Sequence, residues 1–248
     1  MAQNYRKRRR TRRRRSPWLV PAAVIGAIVL VALIVVLVIS GGDDTQKPGP
    51  VGNSNISVGY EDMEPIDLGQ GLLVEKVGTY TGIYMEDGSN DTVSGVMMTI
   101  VKNTGHKDLQ LARFTLEYDG FSAQFEATNL PSGERVVLLE KNRHAAAGKP
   151  QSAKLGTCVF FQEDMTLMEG VLELGGKTGS ISVKNISGKD ISGNIWVYYK
   201  YSATDLFYGG ITFRAKHLGG LRAGQTVNIP AGHYSPSSVR LVWVTVGE

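Results

Sequence analysis

The chain has one cysteine, Cys158, among 248 residues, so no disulfide can form within it. Small secreted domains usually carry several. This one must cohere by core burial, which two domains of ~90 residues each can supply. Acidic residues are absent before Asp43, although 23 follow from there on. Beyond residue 40 no long 3.6-residue apolar period occurs, which argues against a helical bundle. Catalytic signatures are missing as well. There is no GxSxG, no HxxxH and no complete P-loop, because "GGKTGS" (Gly175–Ser180) has Val171 where the leading glycine should stand. The four histidines and Cys158 form no cluster at metal-ligand spacing. No catalytic residue, metal or cofactor is expected.

What is present begins with charge. Arg6–Arg15 holds nine basic residues, and Trp18–Ile39 is then an uncharged, apolar run of 22. At about 1.5 Å per residue a helix of that length spans roughly 33 Å, enough for a bilayer core of about 30 Å. The order predicts a basic cytoplasmic tail (1–17), a transmembrane helix (18–40) and everything after it outside the plasma membrane. The arginines are expected to meet anionic lipid headgroups rather than nucleic acid. With these nine removed, 18 basic residues face 23 acids, a net of −5, so the outer part is no polyanion binder by bulk charge.

Residues 41–66 are rich in Gly, Pro, Asn and Asp and read as a flexible linker, of which only the end, near Tyr60–Ile66, is expected to begin docking on the fold. Past them the period is two. In "RFTLEY" Phe114, Leu116 and Tyr118 alternate with Arg113, Thr115 and Glu117, as in an antiparallel sheet with one wet face. Turn signals at short spacing argue for a sandwich. The chain also repeats itself. "VKNTGHKDL" (101–109) returns as "VKNISGKDI" (183–191), "LARFTLEY" aligns with "GNIWVYYK" so that Phe114 meets Trp196, and "LPSGERVVL" (130–138) returns as "LRAGQTVNI" (221–229). The aspartate of the first motif is expected to bond back to its own turn. Two β-sandwich modules follow, 67–163 and 164–248, each of roughly seven strands as in an immunoglobulin-like sandwich.

This pattern resembles the immunoglobulin-like surface modules of bacteria. The stretch Tyr208–Val244 is similar to uncharacterised proteins of Gram-positive, Clostridia-like bacteria. The resemblance covers most of 95–248 and implies an all-β ectodomain of two tandem immunoglobulin-like antiparallel β-sandwiches behind one N-terminal helix. It brings no catalytic residues. The implied role is non-enzymatic binding or scaffolding of an envelope protein or wall polymer, the alternative being a wall-polymer-modifying enzyme or its accessory subunit. The expected binding surface is in the second module, where Tyr208, Arg214, His217, His233 and Tyr234 combine aromatic area with Arg and His.

Overall fold

The computed structural model describes residues 57–89, 91–145 and 148–247. The basic tail, the expected transmembrane span and the linker as far as residue 56 lie outside the described residues. No helix in the described residues is long and apolar enough to cross a membrane. The protein there is all-β, built of sandwich-like sheets.

Fourteen strands follow one another: β1 (Ser57–Glu61), β2 (Ile66–Gly69), β3 (Leu72–Ile83), β4 (Thr92–Asn103), β5 (Leu109–Tyr118), β6 (Phe121–Leu130), β7 (Arg135–Leu139), β8 (Ser152–Phe160), β9 (Leu172–Lys177), β10 (Ser180–Asn185), β11 (Asn194–Ala203), β12 (Leu206–His217), β13 (Thr226–Pro230) and β14 (Val239–Gly247). The end of the expected linker is structured, from Ser57 onward. Val58 is buried, and β1 pairs antiparallel with β3. That pairing is close because Gly59 and Gly78 meet there. A Cβ on Gly78 would come within 1.9 Å of the Gly59 carbonyl.

An eight-stranded sheet runs β1-β3-β4-β7-β12-β11-β14, with β2 also on β3, and two three-stranded sheets run β6-β5-β8 and β13-β10-β9. Read by halves, β3-β4-β7 faces β6-β5-β8, and β9-β10-β13 has the same order and faces β12-β11-β14. The halves join where β7 and β12 pair in parallel over three residues, Arg135–Val137 against Leu206–Tyr208. At this joint Val136 and Phe207 turn to the first core cluster, while Val137 and Tyr208 turn to the second. Tyr201 lies opposite Tyr208, and Tyr199, two residues earlier, belongs to the third cluster. The two small sheets therefore cover opposite faces of the long one.

The repeated motif makes one clasp twice. The buried Asn103 amide donates to the carbonyls of Lys107 (2.9 Å) and Leu130 (3.1 Å) and accepts from Gly105 N–H (3.1 Å). Asn185 repeats this with Lys189 (2.7 Å), Leu221 (3.0 Å) and Ser187 N–H (3.0 Å). An amide both donates and accepts, so one side chain closes its own turn and ties it to the next. The aspartate does not bond back to its turn as expected. As an acceptor only, Asp108 takes the N–H groups of Ser132 (2.8 Å) and Met165 (2.6 Å), and Asp190 takes that of Ala223 (2.8 Å).

The joint itself encloses a charge. Lys200 is fully buried, and its ammonium donates to the carbonyls of Thr128 (3.0 Å) in the first half and of Gly210 (3.2 Å) and Ile211 (2.8 Å) in the second. Three acceptors suit an ammonium, since the free amine has two N–H groups. In return Glu86 of the first half accepts from Gly210 N–H (2.6 Å) and from Leu139 N–H (2.7 Å). The Gly210 peptide thus lies between the two charges. Gly210 must be glycine, because a Cβ would sit 1.8 Å from the Glu126 carbonyl. Gly209 and Gly210 are not turn residues but lie within β12, where its register against β11 shifts. Burial pulls Lys200 down to about 7 against the pull of Glu86, and pushes Glu86 up to about 7 against its two backbone donors and Lys200.

Two outcomes are expected. Asn185→Ala removes three hydrogen bonds of a buried amide, although the Leu221 carbonyl keeps Ile191 N–H (2.8 Å) and the Lys189 carbonyl keeps the Ser187 hydroxyl (3.1 Å), and should cost about 1–3 kcal/mol in urea unfolding, with Asn103→Ala similar. Lys200→Met leaves Glu86 without its cation and should cost about 3–5 kcal/mol. The charge pair also sets a pH dependence. Glu86, raised from 4.5, contributes stability below about pH 4.5 that is lost as pH climbs to 7. Lys200, lowered from 10.5, makes stability rise again above pH 7. The stability of the wild type relative to Glu86→Gln/Lys200→Met should therefore be lowest near pH 7 when urea midpoints are compared across pH 5–9.

Candidate binding face

Strand β11 reads "NIWVYYKYSA" and alternates. Ile195, Val197 and Tyr199 enter the third core cluster, so Trp196 and Tyr198 point the other way. The neighbouring strands complete that outward face in two rows. Trp243, Tyr198 and Arg214 lie side by side across β14, β11 and β12, and Thr245, Trp196 and Lys216 form the row beside them. No second sheet of this half covers the face, because β9-β10-β13 packs on the opposite side, but Tyr198 and Trp243 are half-buried against the first core cluster, so the open part of the face is the half-buried Trp196 with the exposed Arg214 and Lys216.

The aromatic rings pair with one another and with the cations. Tyr198 and Trp243 stack at 4.8 Å, and Phe161 meets Trp243 edge-on at 4.8 Å. The Arg214 guanidinium lies 4.9 Å and the Lys216 ammonium 4.2 Å from the Trp196 ring centre. Contacts of this kind are worth about 0.5–1 kcal/mol at exposed sites and hold long side chains in place. Both cations are exposed, and among the described residues neither has a carboxylate within 4.0 Å. On the β14 side the face falls into a groove of about 640 Å³ lined by Val159, Phe161, Glu163, Asp164, Met168 and Trp243, among others. Val159 is 41% exposed there, and Glu163 and Asp164 are exposed.

The corresponding face of the first half is different. On β6-β5-β8 the outward residues include Arg113, Thr115, Glu117, Gln124, Glu126 and Lys154. Two of its cations are neutralised: Arg113 meets Glu126 at 2.6 Å, and Lys141 meets the same carboxylate at 3.1 Å, while Lys154 has no ion pair among the described residues. Burial raises Glu126, and these two cations outweigh it to leave the carboxyl below its usual range. One scaffold thus carries a self-satisfied polar face in one half and an aromatic face with unpaired cations in the other.

The five residues expected to share one surface do not. Tyr208 is buried in the second cluster and Tyr234 in the third, where it meets Tyr199 edge-on at 5.9 Å; burial raises both phenols. Tyr208 falls at an inward position of β12 and Tyr234 folds inward from the loop after β13, so their aromatic area is spent on the core. His233 stacks on Phe213 at 4.3 Å, and its Nδ1 lies 3.1 Å from the Tyr201 hydroxyl. The His217 Nε2 contacts the Gly220 carbonyl at 3.3 Å at the end of β12. Arg214 alone of the five belongs to the outward face. The sequence alignment had set Trp196 opposite Phe114, a core residue, and so hid the rest of the face. Register shifts at different points of β5 and β11 move that alignment by one residue and reverse the side chain's face. The signal was nevertheless present in the alternation of "IWVYY".

Among the described residues no three His, Cys, Asp or Glu side chains are placed to share a metal ion. Comparison with family models, with curated proteins and with solved structures gives no match.

The core and surface assignments separate by mutation. Tyr208→Ala should cost about 3–5 kcal/mol, as large-to-small changes in a core do. Arg214→Ala and Lys216→Ala should each move stability by no more than about 0.5 kcal/mol. Thermal unfolding of the three variants measures the contrast.

Proposed function

We propose that this chain is a non-enzymatic, single-pass membrane protein of a bacterial envelope. It holds its N-terminus inside and presents two tandem immunoglobulin-like modules outside, the second of which binds an envelope component. The observation that carries the binding role is the outward face of β12-β11-β14, with Trp196, Tyr198 and Trp243 beside two cations that lack acidic partners. Trp, Tyr and Arg are the residues that dominate binding energy at interfaces, and a polar, ion-paired face on the sister half is what the same scaffold looks like without that task.

The tandem immunoglobulin-like reading is supported by strand order. Counting six strands from β3 and again from β9, the first, second and fifth share one sheet, and the fourth, third and sixth share the other, in that order. This interleaving suits strands A, B, C, C′, E and F of an immunoglobulin-like sandwich, with D and G of the usual seven missing and C′ added. The membrane reading is supported by the nine basic residues of Arg6–Arg15 ahead of the apolar run.

Two measurements test the proposal. Protease added to intact cells stripped of outer layers should digest the chain beyond residue 41 and spare the N-terminus; full protection of the second half would refute the orientation. In the same cells Trp196→Ala should release the chain from the envelope component it binds, read as at least a tenfold loss of co-fractionation after the membrane is dissolved. Unchanged co-fractionation would remove the binding role from this face.

A further inference from the structure

The face is polarised. Its β12 margin carries Arg214 and Lys216, and its β14 margin leads to Glu163 and Asp164 in the adjoining groove. The aromatic residues lie between. Two strand spacings, about 10 Å, separate β12 from β14. A partner must therefore offer an apolar centre with acids on one side and bases on the other.

Several occupants fit poorly. A strand-adding peptide needs a free sheet edge, but β11 is paired on both sides by β12 and β14. A sugar polymer that stacks on ring faces finds those faces engaged, Tyr198 by Trp243 and Trp196 by the two cations. A dense polyanion would meet only two unpaired cations on a chain whose acids outnumber its bases by five after residue 40. One surface that satisfies the pattern is the face itself. Turned by a two-fold rotation about an axis through the aromatic rows, the face is complementary to itself: the cations of one copy meet the acids of the other, and the aromatic rows meet at the centre.

We infer that the β12-β11-β14 face is a self-complementary interface that docks a second copy of this chain, with Arg214 and Lys216 opposite Glu163 and Asp164 of the other copy. This inference deepens the binding role proposed above and rests on it. Two-fold contacts of one patch with itself are the commonest way in which identical chains assemble. Charge pairing across the margins fixes the register, and the Trp and Tyr centre supplies the contact area. The first half's outward face lacks such an aromatic row, and two of its cations, Arg113 and Lys141, are already paired with Glu126.

Charge reversal gives a test with a built-in rescue. Full-length chains carrying two different affinity tags are co-expressed, dissolved in mild detergent, and one tag is used to recover the other. Wild-type copies should co-purify. Arg214→Glu/Lys216→Glu makes both margins acidic, and Glu163→Lys/Asp164→Lys makes both basic, so each variant should lose at least tenfold in recovery of itself. The two variants expressed together should recover each other, since acidic margins then face basic ones at both ends. All four residues are exposed, and unchanged thermal unfolding of each variant would confirm that folding is not the cause. The inference is overturned if wild-type copies do not co-purify, if either variant self-associates as wild type does, or if the mixed pair fails to restore recovery. A wild type that stays monomeric while Trp196→Ala still frees it from the envelope would overturn the self-docking and leave the binding role standing. Loss of neither association on Trp196→Ala would remove both.

Discussion

Joining two sandwiches through one sheet forces their backbones into contact where neither can hydrate, and Lys200 is the solution to that constraint. The parallel pairing of β7 with β12 is only three residues long. Beyond it β12 changes register; the Gly210 carbonyl there accepts from the Thr128 hydroxyl (2.7 Å) and the Thr128 carbonyl from that of Thr212 (3.3 Å), which leaves each with room for a further donor beside the carbonyl of Ile211. A single ammonium meets all three. Its charge then requires an anion nearby, which Glu86 provides from the other half through the Gly210 peptide. Burying two charges is costly unless geometry satisfies them. Here the geometry is supplied by both halves together, so the lock exists only when they are docked.

The two copies have kept what closes their turns and changed what faces outward. Asn103 and Asn185 make the same three bonds, and the strand order they help to fix is the same. Those positions tolerate little, because a buried amide that both donates and accepts has few substitutes. Outward positions bear no such demand. The first half fills them with Arg113, Glu126 and Lys141 in mutual contact, and the second with Trp196, Tyr198 and Trp243.

Much of the fold could be read from the chain. The alternation in "RFTLEY" placed Phe114, Leu116 and Tyr118 in the core, and the repeated "VKN" motif marked equivalent strand ends. What could not be read were the features set by distant contacts. Ser57–Glu61 looks like linker because its composition is polar, and it becomes a strand because β3 offers an open edge with Gly78 beneath Gly59. Lys200 reads as a surface lysine, since the three carbonyls that hold it lie 10, 11 and 72 residues away in the chain. The outward face of β12-β11-β14 was half legible. Arg214 was found by residue type, while Trp196 was lost to a one-residue slip in aligning strands with different bulges.

The joint between β7 and β12 raises the matter of whether a third unit could be added in the same way. The counterpart of β7 in the second half is β13, since Val136 pairs with Val101 as Val227 pairs with Val183. Where β7 offers Val137 and Leu139 to the second core cluster, β13 offers Asn228 and Pro230, both exposed. Asparagine gives no apolar area to bury, and proline has no N–H to extend the ladder. The outer edge of β13 is thus a stop. The sheet grows across one seam within the chain, and the β13 edge does not offer that seam a second time.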